Sequence, residues 1–339
     1  MLSSSFSADI RLASELAIRK AAGAYRTLKQ EDSRIDFCSN DYLGFAQSPQ
    51  LKQRIAEKSA NITSGNGSTG SRLLRGNSQT CEQLEERLAA FHQAPAGLLF
   101  NSGYDANLGL FSCLASRNDT VIYDALMHAS ARDGIRLSAA KAFNFRHNDL
   151  LHLEERLGTV GSEGAVFVVV ESIYSMDGDM APLQELVDLC ERFGASLLVD
   201  EAHATGVKGS LGQGLVQALG LAHRVYARVH TFGKALGCHG AVVLGSSTLR
   251  EWLINYSRPF IYTTALPPSS ILAIDAAYEL MQESPEVITT LSERIRFFKQ
   301  QVGAAGLSGL SWNDSPIQCM VIPGNEQVRE AANSLQAWS

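Results

Sequence analysis

Between about residues 95 and 245 the sequence repeats one alternation. Short runs rich in Val, Ile, Leu and Phe recur: GLLF (97–100), TVIYD (120–124), KAFNF (141–145), AVFVVVE (165–171), SLLVDE (196–201), RVYARVHTF (224–232) and GAVVLG (240–245). Helical patterns such as ALMHASARDGIRLSAA and PLQELVDLCERFG lie between several of them. A strand with one wet face alternates apolar and polar residues, whereas a continuous apolar run leaves no face for water. Runs of that kind, spaced by helices, require a largely parallel sheet covered on both faces. GAVVLG follows TFGKALGCHG too closely for a parallel crossover, so that strand is expected to run antiparallel. With 339 residues, 45% of them hydrophobic, the chain has enough apolar content for such a core.

The flanks read differently. A polar helix is expected at about 8–28, followed by the short apolar piece IDFCSNDYLGF. After about 280 come a helix (PEVITTLSERIRFFKQQVGAAG), a strand-like piece (PIQCMVIPG) and a last helix (NEQVREAANSLQAWS). The expected organisation is an N-terminal helix and arm at 1–45, a large domain at 46–275 and a small C-terminal α/β domain at 276–339. A formal charge of −6 argues against nucleic acid or an anionic membrane surface as partner. No apolar run reaches the roughly 18 residues that span a bilayer, and the start lacks a basic-then-apolar signal layout. Six scattered cysteines without a CxxC pair read as reduced thiols of a cytoplasmic protein, not as a disulfide framework or zinc site.

Three motifs mislead. GNGSTG (65–70) matches G-x-G-x-x-G, yet a helical pattern precedes it, and SRLLRGN separates it from the next helix, where Thr80 is the expected N-cap. A dinucleotide fingerprint needs a strand before and a helix directly after, so the stretch reads as a turn or as a loop closely approaching a ligand or a neighbouring subunit. Gly233-Lys234 imitates a phosphate loop, but residue 228 is Arg where that motif needs glycine, and Ala235 follows the lysine. The histidines offer no HxxxH pair, and no metal site is expected.

The chemistry converges elsewhere. SLLVDEAHATG sets Asp200 and His203 at the end of an apolar strand, where open α/β sheets carry their function. Lys234 follows the strand RVYARVHTF in a stretch otherwise suited to burial. Burial disfavours an ammonium; a Schiff base to a carbonyl needs a neutral amine. A lysine paired with an acid that holds a pyridinium nitrogen protonated is what a pyridoxal-phosphate site requires. NSGYDANLG lies between a strand and a helix whose N-terminus can hold a phosphate. Tyr104 within it is either a ring neighbour or a core aromatic, and His128 follows another strand end.

These residues carry a resemblance. FCSNDYLGF, GSTGSRLLRGN, NSGYDANLG, DALMHAS, ESIYSMDGDMAPL, VDEAHATGVKGSLGQG, TFGKALGCHGAVVLGS and FIYTTALPP resemble the α-oxoamine synthase family of fold-type-I pyridoxal-phosphate enzymes, over about residues 37–268. The resemblance implies an α/β fold with a mostly parallel sheet in the large domain. It implies that Lys234 holds pyridoxal 5'-phosphate and that Asp200 pairs with its ring nitrogen. His203 would bond the phenolic oxygen; Ser175 and Thr231 would contact the cofactor; Gly103 and Tyr104 would sit at its phosphate and ring edge. His128 would stack on the ring and touch substrate, and Arg26 aligns loosely with a substrate-contacting arginine. Thr263 and Thr264 would reach the phosphate of a neighbouring subunit, which implies a homodimer with shared sites.

The implied reaction is a decarboxylative Claisen condensation of an amino acid with an acyl thioester, coenzyme A or a carrier protein being the leaving group. The family continues beyond the position of Ser339 with an arginine for the substrate carboxylate. Cofactor binding is expected without it, because its residues lie before 265; full catalysis is the part it bears on. Two alternatives stand beside this reading. One is a sister activity with another amino acid or acyl chain, such as glycine C-acetyltransferase or serine palmitoyltransferase. The other is a non-catalytic subunit of the same fold, although such partners typically lack the lysine that is present here.

Overall fold

A computed structural model describes residues 6–28, 35–60, 65–161, 163–307 and 309–337. Seven strands form one sheet: β1 (Ala96–Phe100), β2 (Thr120–Asp124), β3 (Lys141–Phe145), β4 (Val166–Glu171), β5 (Ser196–Asp200), β6 (Ala227–Thr231) and β7 (Ala241–Gly245). Their spatial order is β1-β7-β6-β5-β4-β2-β3. Only β7 runs against its neighbours, pairing antiparallel with both β1 and β6, as its short connection requires. The other pairings, β2 with β3 and β4, β4 with β5, and β5 with β6, are parallel.

Apart from β3, an edge strand on which only Phe145 is buried and Phe143 is exposed, the apolar runs are buried because helices cover both faces of the sheet. Along β4, Val168 and Val170 enter one core cluster with Leu186 and Val187 of the helix Leu183–Arg192. Phe167 and Val169 point into another, with Leu110 and Phe111 of the helix Gly103–Leu114. A third cluster packs Leu84 and Leu88 of the helix Gln79–Phe91 against Leu99, Val242, Leu244 and the long helix Pro268–Glu283. Leu84 and Leu88 share a face, as the pattern predicts; the N-cap is Ser78 instead of Thr80, its side chain accepting from the Cys81 N–H at 3.2 Å.

The described chain separates into two units, 40–319 and a smaller one built from 6–39 and 320–337. In the smaller unit the helices Ser7–Ala21 and Asn325–Gln336 bury no residue. Asn325 Nδ2 donates to the Ala22 carbonyl at 2.8 Å, and the Arg329 guanidinium donates to the Gly23 carbonyl. The expected strand PIQCMVIPG does not form; its residues run as irregular chain with single bridge positions only. Without a neighbouring strand, that short apolar run has no ladder to join. The first of the expected C-terminal helices spans Glu286–Ala304. No helix among the described residues is long and apolar enough to cross a membrane.

Two glycines let the functional loops touch. Gly237 has φ +59°, and a Cβ there would lie 2.2 Å from the Ala46 backbone nitrogen. Gly206 has φ +75°, and its Cβ would lie 2.6 Å from the Ala235 Cβ. The segment 41–46 therefore seats directly on the loop that carries Lys234. Gly237→Ala should lower stability by about 2 kcal/mol or more, since it combines a left-handed backbone with a backbone clash. Urea unfolding of the two proteins measures it.

Candidate active site

The carboxyl ends of β4, β5 and β6 bring three polar residues to one edge: Glu171, Asp200 and Thr231. Glu171 and Asp200 are register partners on adjacent strands, and both are buried. Two turns complete the edge. After β5 the chain rises through Ala202 and His203; after β6 it turns through Lys234, whose carbonyl accepts from the Gly237 N–H. The result is a cleft of about 180 Å³ lined by Gly103, Tyr104, Asn107, His128, Ser130, Glu171, Asp200, Ala202, His203, Thr231 and Lys234.

Lys234 Nζ lies 2.8 Å from His203 Nε2, and His203 Nδ1 lies 2.8 Å from the Tyr42 hydroxyl. Asp200 is held at both oxygens: Asn107 Nδ2 donates to Oδ2 at 2.7 Å and the Ala202 N–H to Oδ1 at 2.9 Å. Glu171 accepts from the backbone N–H groups of His128 (2.7 Å) and Ser175 (3.3 Å). His128 is the N-cap of the helix Ala129–Leu137, and its Nδ1 lies 2.7 Å from Ser130 Oγ. At the other end of the cleft the helix Gly103–Leu114 begins; a Cβ on Gly103 would lie 3.3 Å from Thr231 Oγ1. Its first turn thus opens beside Thr231; Ser102 Oγ caps the Asp105 N–H at 3.1 Å, which leaves the Gly103 and Tyr104 N–H groups for an anion.

Burial sets the protonation states. It lowers the Lys234 pKa, against the pull of Asp200 and Glu171. It brings His203 down to about 3, with help from the Lys234 and His128 charges. It pushes Glu171 up to about 8, with the Asp200 charge adding to the rise and Lys234 opposing it. The edge therefore favours a neutral imidazole, a lysine disposed to lose its proton and a glutamate disposed to keep one.

Of the residues singled out in the sequence, Gly103, Tyr104, His128, Asp200, His203, Thr231 and Lys234 line this cleft. Tyr104 is 45% exposed, with its hydroxyl on Asp133 Oδ2 at 2.5 Å. Ser175 does not line the cleft and reaches it only through Glu171. Thr263 borders a separate cleft of about 440 Å³ that includes Gly65, Gly67, Arg72 and Arg75 of the glycine-rich loop. Asn101 Nδ2 donates both to Thr263 Oγ1 (3.0 Å) and to the Thr264 carbonyl (2.8 Å). Arg26 belongs to the smaller unit. Sequence reasoning missed Tyr42, Asn107, Ser130 and Glu171 as individuals. For Glu171 a signal was available: it ends the run AVFVVVE as Asp200 ends SLLVD.

The donor set fits pyridoxal 5'-phosphate. A buried amine, a carboxylate fixed at both oxygens, a neutral histidine and an open helix N-terminus share one small cleft. Asn107 Oδ1, beside Asp200, is buried without a partner.

Residues 32–337 match the family described as aminotransferase class I and II, and the chain belongs to it. Comparison with individual proteins narrows the class. An 8-amino-7-oxononanoate synthase of Emericella nidulans is 45% identical over 84% of this chain and 72% of its own. That of Methylococcus capsulatus is 42% identical over 95% of this chain and 86% of its own. Among solved structures, serine palmitoyltransferase from S. paucimobilis with bound PLP-myriocin aldimine superposes with a TM-score of 0.84 at 31% identity, covering 93% of this chain and 85% of that one. An 8-amino-7-oxononanoate synthase from Francisella tularensis gives 0.76 at 30% identity, covering 91% and 87%. The chain is a pyridoxal-phosphate-dependent acyltransferase of the α-oxoamine synthase type, similar to 8-amino-7-oxononanoate synthase.

The Glu171 environment has a measurable consequence. A carboxyl whose folded pKa is raised keeps its proton where the unfolded chain has released it, so its share of stability is present below about 4.5 and is lost as pH rises towards about 8. Glu171→Gln mimics the protonated form. Cofactor-free Glu171→Gln should gain on the wild type as pH rises from about 4 to about 8, by about 1 kcal/mol or more, in urea unfolding. His203 acts oppositely: its depressed pKa costs stability as pH falls from 6.5 towards about 3.

Proposed function

We propose that the protein condenses L-alanine with a pimeloyl thioester, of coenzyme A or a carrier protein, in biotin biosynthesis. Alanine, the thioester and one proton give 8-amino-7-oxononanoate, carbon dioxide and the free thiol carrier. The observation that carries this reading is a buried lysine amine 2.8 Å from a neutral histidine, with Asp200 in the same cleft. The names of the relatives, at 38–45% identity, supply the substrate class.

Pyridoxal phosphate, when bound, supplies a ring that accepts electrons from a bond breaking at the substrate Cα. The chain's own residues do the rest. Lys234 Nζ, favoured as a free amine by burial, would hold the cofactor and would take the proton from the substrate Cα. Asp200, braced by Asn107 and Ala202, keeps a proton on the ring nitrogen. His203 Nε2 bonds the phenolic oxygen. The first turn of the helix at Gly103 and Tyr104, with Thr231, receives the phosphate. His128, fixed by Ser130 and Glu171, covers the ring and meets the substrate. Ser175 contacts the cofactor in this reading, and Arg26 the substrate. Thr263 and Thr264 serve the phosphate of a second copy, making a homodimer with shared sites; the glycine-rich loop beside Thr263 supports that placing. The reaction is assigned to the cytoplasm, supported by six cysteines that are all free.

One observation favours a second reading. Several solved structures similar to the chain are serine palmitoyltransferases, with TM-scores from 0.67 to 0.84 that bracket the 0.76 of the oxononanoate synthase structure. That reading exchanges alanine for serine and lengthens the acyl chain.

A panel of L-alanine, glycine and L-serine against acyl-CoAs of increasing length separates the two. Turnover with alanine and pimeloyl-CoA is expected; turnover confined to serine and a long-chain thioester rejects the first reading. Borohydride reduction and peptide mapping should place the pyridoxyl group on Lys234, and a label on another lysine removes the basis of both. Asp200→Asn should cost about a hundredfold or more in kcat, because a charge is lost from a poorly solvated site. Activity within a few-fold of wild type refutes its role.

A further inference from the structure

Tyr42 stands behind the catalytic pair and has no part in the reading above. Its hydroxyl lies 2.8 Å from His203 Nδ1 and 3.0 Å from Asn40 Oδ1, while His203 Nε2 lies 2.8 Å from Lys234 Nζ. A phenol has one proton and two acceptor lone pairs, and a neutral imidazole has one N–H and one bare nitrogen. The four groups therefore form a chain in which the direction of one bond sets the next.

With the Tyr42 proton on Asn40 Oδ1, the phenol oxygen accepts from His203 Nδ1–H. Nε2 is then bare and accepts from the Lys234 amine. With the phenol rotated to donate to Nδ1, the proton moves to Nε2, which becomes a donor. The first state suits a free lysine. The second suits an anionic oxygen placed at Nε2, such as the phenolic oxygen of the cofactor.

We propose that Tyr42 is a positioning residue of this reaction: its hydroxyl selects the tautomer of His203, and so decides whether Nε2 accepts from Lys234 or donates to the cofactor. The inference rests on the reading that Lys234 and His203 work as a pair on pyridoxal phosphate. Two features of the structure support it. Among the described residues no carboxylate is bonded to His203 Nδ1, and the phenol is its side-chain partner there. The ring is also kept neutral, its pKa brought down to about 3 by burial, so both tautomers are open to it. The phenol's place is fixed by the fold, because Gly237 and Gly206 let the 41–46 segment lie against the lysine loop and the His203 turn. The ionisable groups facing His203 are Lys234, His128 and Tyr42; those facing Lys234 are His203, Asp200 and Glu171.

The test is Tyr42→Phe, which keeps the ring and removes the hydroxyl. Histidine-selective ¹⁵N NMR, with the His203 signals assigned from a His203→Gln control, reads the tautomer in cofactor-free and holo protein. The wild type should show Nδ1–H without cofactor and Nε2–H with it. Tyr42→Phe should lose that change, because an unpartnered Nδ1 in a buried site favours the bare form in both. The holo variant keeps Nε2–H but loses the phenol's donation to Nδ1, which weakens Nε2–H as a donor, so its visible absorbance should titrate with a midpoint shifted by about one pH unit. Its kcat should fall about tenfold, less than loss of an acid–base group itself costs, with KM within twofold. Wild-type ¹⁵N behaviour and an unmoved spectral midpoint in Tyr42→Phe overturn the proposal, even if stability falls, since stability alone would mark a packing role. Absence of visible absorbance in the wild type would instead strike the cofactor reading on which the proposal rests.

Discussion

Two carboxylates in register at the edge of a parallel sheet form the constraint around which this site is arranged. Glu171 and Asp200 are paired across β4 and β5, and both are withdrawn from water. Neighbouring buried acids cannot both ionise without compensation. The chain meets the demand unequally. Glu171 receives two backbone N–H groups and is pushed towards its protonated form; Asp200 receives an asparagine amide and a backbone N–H. Lys234 lies within the field of both. A positively charged group bound beside Asp200 would supply the compensation that a lysine disposed to lose its proton does not.

Other buried carboxylates in the large unit hold its parts together. Glu85, on the helix Gln79–Phe91, accepts from the Leu99 N–H of β1 (2.8 Å), from Arg72 of the glycine-rich loop (2.6 Å) and from Arg250 (2.9 Å). Glu201, the residue after Asp200, accepts from the Leu215 and Val216 N–H groups and from Ser172 Oγ. Removing either arginine from Glu85 would leave a buried carboxylate less well compensated, at a cost in stability. The turn carrying Asp200 and His203 is thereby tied to β4 by Ser172 and to the helix at 215–218. The side chains of the cleft sit on backbone with little freedom to drift.

The comparisons divide in a way the site explains. Sequence relatives carry the name of an alanine-using synthase, while the solved structure with the TM-score of 0.84 is a serine palmitoyltransferase. Either proposed reading assigns Lys234, His203 and Asp200 the same work. Amino-acid and acyl selection depend on contacts around that edge, where a methyl group against a hydroxymethyl changes little in the backbone.

The amino-acid sequence by itself determined the sheet. Seven apolar runs predicted seven strands, and the short link before GAVVLG predicted the antiparallel one, because continuous burial and connection length are local properties. It also marked Lys234, Asp200 and His203, since a charge in an apolar stretch needs a chemical reason that can be read without coordinates. PIQCMVIPG misled, because an apolar run alone does not say whether a strand lies beside it. Tertiary structure alone decided that Glu171 faces Asp200, that Asn107 reaches across 93 residues to brace it, and that Tyr42 stands behind His203 across 161. Strand order and the close approach of the 41–46 segment at Gly237 create those contacts. Neither leaves a periodic trace in the sequence, for the physical reason that they depend on which distant surfaces can reach each other once the sheet has formed.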